Sequence, residues 1–561
     1  MPGRFAGVAV LAVVSVLLAS AVPASAHHKK VLGAASYPDM TTYKCRTDAI
    51  TIHPGQNLNL FKATKTCPNA QKVSGPGDTS VFAPGSTAKG FVTRFQPSMV
   101  EIKPGGKLVT PSVWDLHLHH VVWLAPHGSP TFASGEEKTI PKFPQGYGLE
   151  VGGDATWGLN YMIHNLGPSG GRQVYITWEI DWVPQTSPAR TDIKEAIVKW
   201  LDVAGSPQVY PVFDAERGFD ADRNGKFTFP DDVPTDPAAP GYEERPKISK
   251  ARSWSVPDGG ATLVFGAGHL HPGGLNVDLQ VSRDGPDPGT VDGDDRSETR
   301  RLFRSKAHYY EPAGAVSWDV SMEATRPDWR IALKGGDTLS IDTTYNVKRA
   351  SWYESMGILP LAYTKANDPA AKDPFDDDAA VQAMYDEGGI LTHGRLPENI
   401  DKKARKNLKL PDPRKLGSRG REVPSTGIDI EGFRYLPGGF SASRNSPKSL
   451  MRPPLIDPGQ SATFTNLDAP SVEQPQEQQT WHSITSCKPP CNRGAGIGYP
   501  LARGPIKFDS GQLGFGTLAS SLVTTGSNVY TSPPLTKPGK TYTYFCRIHP
   551  FMRGSIRVKG K

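Results

Sequence analysis

The most chemically dense stretch of the chain is "CRIHPFM" near its C-terminus, where Cys546, His549 and Met552 recur at intervals of three. A thiolate, an imidazole and a thioether on one tight loop are soft to borderline ligands. With a second imidazole they make the trigonal His2Cys plane and weak axial Met that hold one copper ion in both oxidation states. "EQQTWHSITSC" offers that imidazole as His482, following the strand-like "SATFTNLD" at a distance natural for a β-sandwich. Cysteine arithmetic agrees: Cys45 pairs with Cys67, Cys487 with Cys491 in "CKPPC", and Cys546 is left over. Metal ligation keeps a thiolate deprotonated and shielded from exchange, a reason for one thiol to stay single beside two disulfides. The CxxxC spacing, without a βαβ context, reads as a staple for the His482 loop and not as a redox centre.

Six of the 14 histidines form three further groups: His117, His119 and His120 in "WDLHLHHVVWL", His164 in "YMIHNLG", and His269 with His271 in "FGAGHLHPGG". Residues i and i+2 of a strand project from one face and reach one metal, so His269 and His271 form a natural ligand pair. By the same alternation His117 shares a face with His119, which leaves two pairings open, 117 with 119 or 119 with 120. His53, His127, His308 and His393 stand alone and read as surface or core residues. "DADRNGKFTFPD" sets Asp220, Asp222, Asn224 and Asp231 at positions 1, 3, 5 and 12 of a calcium loop, with Gly225 at the turn. An ordinary Asp/Asn/Gly turn explains the same residues.

These side chains must be positioned by strands. Gly (58) and Pro (52) are abundant, β-branched and aromatic residues come in short runs, and long amphipathic helices are missing, so the chain reads as all-β. The brief helix candidates are "TDIKEAIVKWLD" and "DDDAAVQAMYDEGG". Residues 1–26, with Arg4, the apolar run Val8 to Leu18 and a small-residue cleavage pattern, read as a secretory signal, implying a secreted, extracellular protein. Cleavage exposes His27 and His28, a terminal amine and imidazoles suited to Cu(II) but also an ordinary frayed terminus. No later run is long enough to cross a bilayer. The charge of +7, mixed in sign along the chain, is too mild and too dispersed to argue for nucleic-acid binding, and none is expected. We divide the remainder into an N-terminal segment with the Cys45–Cys67 bridge (27–84), two sandwich domains (85–189 and 190–365), a charged connector (366–426) and a C-terminal sandwich (427–561).

Residues 427–561 resemble a cupredoxin, and the short CxxHxxM loop is most similar to amicyanin. The resemblance implies a type 1 (blue) copper held by His482, Cys546, His549 and Met552, with one-electron transfer through the exposed edge of the second histidine. The order HH, H, HxH and then Met356 in "WYESMGILPLAY" resembles the dicopper monooxygenases typified by peptidylglycine α-hydroxylating monooxygenase and dopamine β-monooxygenase. "YGLEVGG" and "HNLGPSGG" also resemble the plant stress-up-regulated nodulin family. The monooxygenase resemblance implies a double jelly roll facing a solvent cleft. In it His119, His120 and His164 hold an electron-storing copper, and His269, His271 and Met356 a dioxygen-binding catalytic one. It favours the adjacent pair His119 and His120, because "VVWL" follows directly. The disulfide framework of those enzymes is absent. The resulting expectation is an oxidoreductase whose cupredoxin, reduced by a redox partner or small-molecule reductant, feeds the central coppers. The alternatives are a noncatalytic copper-binding electron carrier and a surface interaction protein.

Overall fold

The computed structural model describes residues 36–561 except 54–58, 114–115, 127, 166–170, 205–211, 216–221, 233–251, 287–294, 311–314, 316–317, 349–351, 366, 377–387, 401–411, 417–420, 440–451, 475–478, 490, 492–506, 516–524, 548, 550–551 and 561. The signal segment, His27, His28, His127, Asp220, the connector's Lys/Arg run from 402 and most of "DDDAAVQAMYDEGG" lie outside the described residues.

The fold is all-β, three successive two-sheet sandwiches. In the first, Arg172–Pro184 sits between Lys89–Ile102 and Thr41–Arg46, while a four-stranded sheet carries Asn59–Lys65, Thr156–Asn165, Leu116–Leu124 and Pro130–Ser134. Alternation explains the packing. Val174, Ile176, Trp178, Ile180 and Trp182 bury one face of their strand against Leu159, Tyr161 and Ile163 of the other sheet. Segment 27–84 contributes strands to both of these sheets, and the Cys45–Cys67 disulfide lies in their shared core.

The second sandwich packs Ile197–Asp202, Gly357–Thr364 and Ala261–Gly266 against a sheet built on Gly274–Pro286 and Thr338–Asn346. Here one expectation is corrected. "TDIKEAIVKWLD" is not a helix: a 3-10 turn at Pro188–Asp192 leads into the strand Ile197–Asp202, paired antiparallel with Gly357–Thr364. Tertiary pairing and burial of Leu201 override a weak helical propensity. The described part of the connector lies against the sandwiches. Ile390–Leu391 pairs with Val320–Ala324, Asn399 Oδ1 accepts from the Val113 amide at 3.0 Å, and Glu398 meets the Lys138 ammonium at 2.8 Å.

In the third sandwich Thr541–Phe545 and Arg553–Val558 pair across the "CRIHPFM" loop, opposite a sheet formed by Gly427–Glu431, Arg434–Leu436, Thr463–Asn466 and Val529–Thr531. Gly554 faces Tyr544 across the ladder, and a Cβ there would stand 2.5 Å from the buried Tyr544 ring. Gly554→Ala is therefore expected to lower stability by about 1–3 kcal/mol through overpacking, measured by urea unfolding; an unchanged midpoint would refute it. Among the described residues no helix is long and apolar enough to cross a membrane.

Candidate metal centre

The loop geometry comes from its backbone. The Cys546 amide donates to the Met552 carbonyl at 3.0 Å and the Met552 amide to the His549 carbonyl at 2.8 Å, folding the three side chains toward one point. His482 arrives from the segment before Thr485–Cys487, which pairs with Thr541–Phe545. His482 Nδ1 and His549 Nδ1 lie 3.2 Å apart, and Cys546 Sγ is 3.8 Å from His549 Nδ1. Among the described residues these three form the one group of His, Cys, Asp or Glu whose ligand atoms all fall within 4.8 Å of one another. Met552 is fully buried beside them, and Cys546 is the free cysteine while Cys487 and Cys491 are joined.

The electrostatics prepare a thiolate. Burial pushes the Cys546 thiol up, but His482 beside it and the Ser483 and His549 amides, 3.3 and 3.4 Å from Sγ, bring it below its ordinary value. Burial pulls His482 down, and Asp468 with the Cys546 sulfur overcomes this, raising the imidazole to about 9. Asp468 Oδ2 lies 2.8 Å from His482 Nε2 and its Oδ1 accepts from the Gly432 amide at 2.9 Å, so the carboxylate fixes the ring with Nδ1 facing inward. Asp468→Ala is expected to weaken copper binding by about 10–100-fold, measured by competition with a chelator. An unchanged affinity would remove Asp468 from the site.

The central histidines are brought to one face by a β-bulge. Met162 pairs with His120 and Ile163 with Leu118, which leaves His119 as the extra residue of the Leu116–Leu124 strand. Leu118 and Val121 both point into the core, so His117, His119 and His120 all lie on the opposite face, with His164 the cross-strand partner of His117. Ring centroids are 4.5 Å apart for His117 and His164, 4.7 Å for His119 and His164, and 5.5 Å for His119 and His120. The second sandwich supplies His269 and His271 from the strand His269–Leu270 and its end; His271 stands 4.7 Å from His119, and Trp318 packs on both. Met356 lies next to the Gly357–Thr364 strand that pairs with His269 and Leu270. The Tyr345 hydroxyl donates to the Met356 carbonyl at 2.6 Å and accepts from the His271 amide at 3.1 Å.

Two expectations are thereby corrected. The two sets of central residues do not face each other across a solvent cleft; they meet in one buried junction, because the second sandwich packs directly on the histidine face of the first. The edge of His549 is not exposed either. It is 1% accessible, and His549 and His164 are electrostatic neighbours, while Met162, Val212, Met356 and Ile358 share one core with Tyr435, Trp481, Cys546 and Met552. Burial, with His549 and the other imidazoles nearby, pushes His164 down to about 3, and burial does the same to His120; His117 and His119 are pushed well below their ordinary value. Neutral imidazoles are the ligating form. His117 has neither ring nitrogen hydrogen-bonded, and His164 Nε2 and His269 Nε2 also lack partners among the described residues. The other nitrogen of His269, Nδ1, lies 3.0 Å from Glu137 Oε1.

Asp468, Glu137, Tyr345 and Trp318 escaped the sequence reading, since nothing local distinguishes Asp468 or Glu137 among 56 acidic residues. The calcium expectation gains nothing. Asn224 Oδ1 accepts from the Lys226 amide at 2.7 Å in a turn leading into the strand Lys226–Phe229, and Asp222 and Asp231 form no metal-spaced group among the described residues.

No family model and no curated protein matches the chain. Among solved structures, the Cu(I) form of a point mutant of amicyanin is similar at 16% identity, over 27% of this chain and 93% of that one, with a TM-score of 0.12. A Cu-containing nitrite reductase from Thermus scotoductus SA-01 is similar at 14% identity, over 53% of this chain and 55% of that one, with a TM-score of 0.15. The infectious bursal disease virus VP2 subviral particle is similar at 12% identity, over 60% and 77%, with a TM-score of 0.17. Identities and scores of this size assign no family, and the functional reading rests on the geometry of the site.

Proposed function

We propose that the protein is an exported copper-dependent redox protein of cupredoxin type at its C-terminus, with His482, Cys546, His549 and Met552 holding a type 1 copper. Copper held by these four residues would supply one-electron Cu(I)/Cu(II) chemistry. The observation that carries the reading is the buried meeting of two Nδ1 atoms and one Sγ at ligand spacing, with Met552 on the same loop. The protein's own groups do the preparation: Asp468 orients His482, and the surrounding amides and imidazole favour the thiolate.

We further propose that His119, His120 and His164, and His269, His271 and Met356, would hold copper in the central junction, where the three first-named lie close together but outside ligand spacing, with His549 and His164 as the neighbours between it and the C-terminal site. Copper there would supply one-electron chemistry, with a redox partner or small-molecule reductant as electron source and, in a monooxygenase-like oxidation, dioxygen as the acceptor whose second oxygen leaves as water. The inward-facing His549 favours this internal coupling over a freely diffusing carrier. Copper counting with visible absorption and electron paramagnetic resonance tests both halves. The expected result is more than one copper per chain, one of them with an intense thiolate-to-copper band. A fully loaded chain holding a single copper would overturn the central assignment, and a loaded chain without that band the C-terminal one. With an external reductant present, reduction that stops at one electron per copper without sustained oxygen uptake would establish a carrier instead.

A further inference from the structure

The hairpin of Gly427–Glu431 and Arg434–Leu436 turns in two residues, since Glu431 pairs with Arg434 and only Gly432 and Phe433 lie between them. Both have positive φ, 54° and 63°, as the type I′ turn of a two-residue loop demands. Glycine or asparagine meets that demand readily, and a bulky side chain does not. Phenylalanine is thus held here against its own backbone preference, and such strain persists only where the surroundings over-determine it. Those surroundings are the metal centre. Asp468 Oδ1 accepts from the Gly432 amide at 2.9 Å, the Phe433 amide points at Oδ2 from 3.5 Å, and the same Oδ2 lies 2.8 Å from His482 Nε2. One carboxylate therefore pins the turn and the first imidazole together. The Phe433 ring stands at 88° to both imidazoles, its centroid 4.9 Å from that of His549 and 5.6 Å from that of His482, within the range of favourable edge-to-face pairs. His482, Cys546, His549 and Met552 are buried while Phe433 is half-buried, so its ring stands between the two imidazoles and solvent.

We propose that Phe433 is the seal of the C-terminal metal centre, the residue that decides what reaches His482, Cys546 and His549 from solvent and that excludes water and small solutes from the space among them. A buried donor set has to be both dry and reachable, because a metal ion needs a path of entry. The tip of a strained two-residue turn is the part that moves most readily. Swinging it outward breaks its contacts to Asp468 and to the two imidazoles, lets Phe433 leave the left-handed region, and leaves the ladder between Gly427–Glu431 and Thr463–Asn466 in place. Such an opening is a local fluctuation, less costly than global unfolding. The seal is a property of the copper-free chain, and only its role in keeping water and small anions off a bound metal rests on the copper reading.

Cys546 is the free cysteine, so alkylation of the copper-free full chain by iodoacetamide at fixed pH, followed by mass spectrometry, reads access to the centre. Phe433→Ala is expected to raise the labelling rate at least about 10-fold, as the loss of two ring contacts predicts. Phe433→Leu, which keeps most of the bulk, should restore most of the protection. In all three chains the rate should not change with urea below the unfolding transition, the mark of local access. An unchanged rate in Phe433→Ala, a Phe433→Leu chain labelled as fast as Phe433→Ala, or rates that climb with urea in step with global unfolding would overturn the proposal. In the copper-loaded chain, azide should alter the visible absorption of Phe433→Ala and leave that of the wild type as it is; azide acting equally on both would also overturn it. A chain that shows the labelling contrast and loads no copper would leave the seal standing and overturn the copper reading alone.

Discussion

Replacing Cys546 with Ser is expected to abolish the thiolate-to-copper absorption band and to lower copper affinity at the C-terminal site by at least about 100-fold, while the chain stays folded. The two halves of this outcome have separate causes. Serine is a hard, scarcely acidic ligand, so the covalent sulfur contribution that stabilises both copper oxidation states is lost. The fold survives because the substitution is small, and the Ser483 and His549 amides that point at Sγ can donate to an Oγ in its place. The unfolding free energy should therefore change by no more than about 1–2 kcal/mol. Absorption spectroscopy and chelator competition measure the first half, and urea unfolding of the copper-free chain measures the second. A variant that keeps the intense band would show that Cys546 is not a ligand.

Lys138→Ala is expected to destabilise the chain by about 3 kcal/mol at pH 8, the cost of breaking a buried charge pair from one side. Lys138, Glu136 and Glu398 form a buried cluster under the histidine junction: the ammonium is 2.8 Å from Glu398 and 3.7 Å from Glu136, whose other oxygen, Oε1, accepts from the Leu118 amide. Burial already raises Glu136 to about 7, with Lys138 opposing the rise. Removing Lys138 pushes it further. A carboxyl whose folded value stands above its unfolded one, near 4.3, contributes stability that is present below that unfolded value and is lost as pH rises through the folded value. Wild-type protein therefore loses this contribution between about pH 4 and pH 7. In the variant the loss continues to higher pH, so the measured destabilisation should be smaller at pH 5 than at pH 8. Urea unfolding at the two pH values tests the sign, and a larger loss at pH 5 would refute it.

Both substitutions also mark the limit of what sequence carries. Ligand chemistry is local, and "CRIHPFM" supplies three ligand types on one turn whose spacing depends little on the rest of the chain. His482 was legible because the strand before it sets its distance. The all-β class was legible too, from period-two runs and turn residues. The segment "TDIKEAIVKWLD" was misread because its strand exists only through pairing with Gly357–Thr364, a partner more than 150 residues away.

The sequence by itself determined the donor inventory: which thiol stays single, which segments hold the imidazoles, and that strands carry them. Only the tertiary structure decided how those donors face. The bulge at His119 turns three histidines to one side, which alternation alone could not foresee, because an inserted residue reverses the parity of everything after it. Docking of the second and third sandwiches onto that face merges two expected sites into one buried junction and turns His549 inward. Glu137, 132 residues from His269, and Lys138, 260 residues from Glu398, take their places by the same long-range packing, while Asp468 reaches His482 across only 14 residues. Contacts between residues hundreds of positions apart are set by how sheets stack, and local pattern holds no record of that.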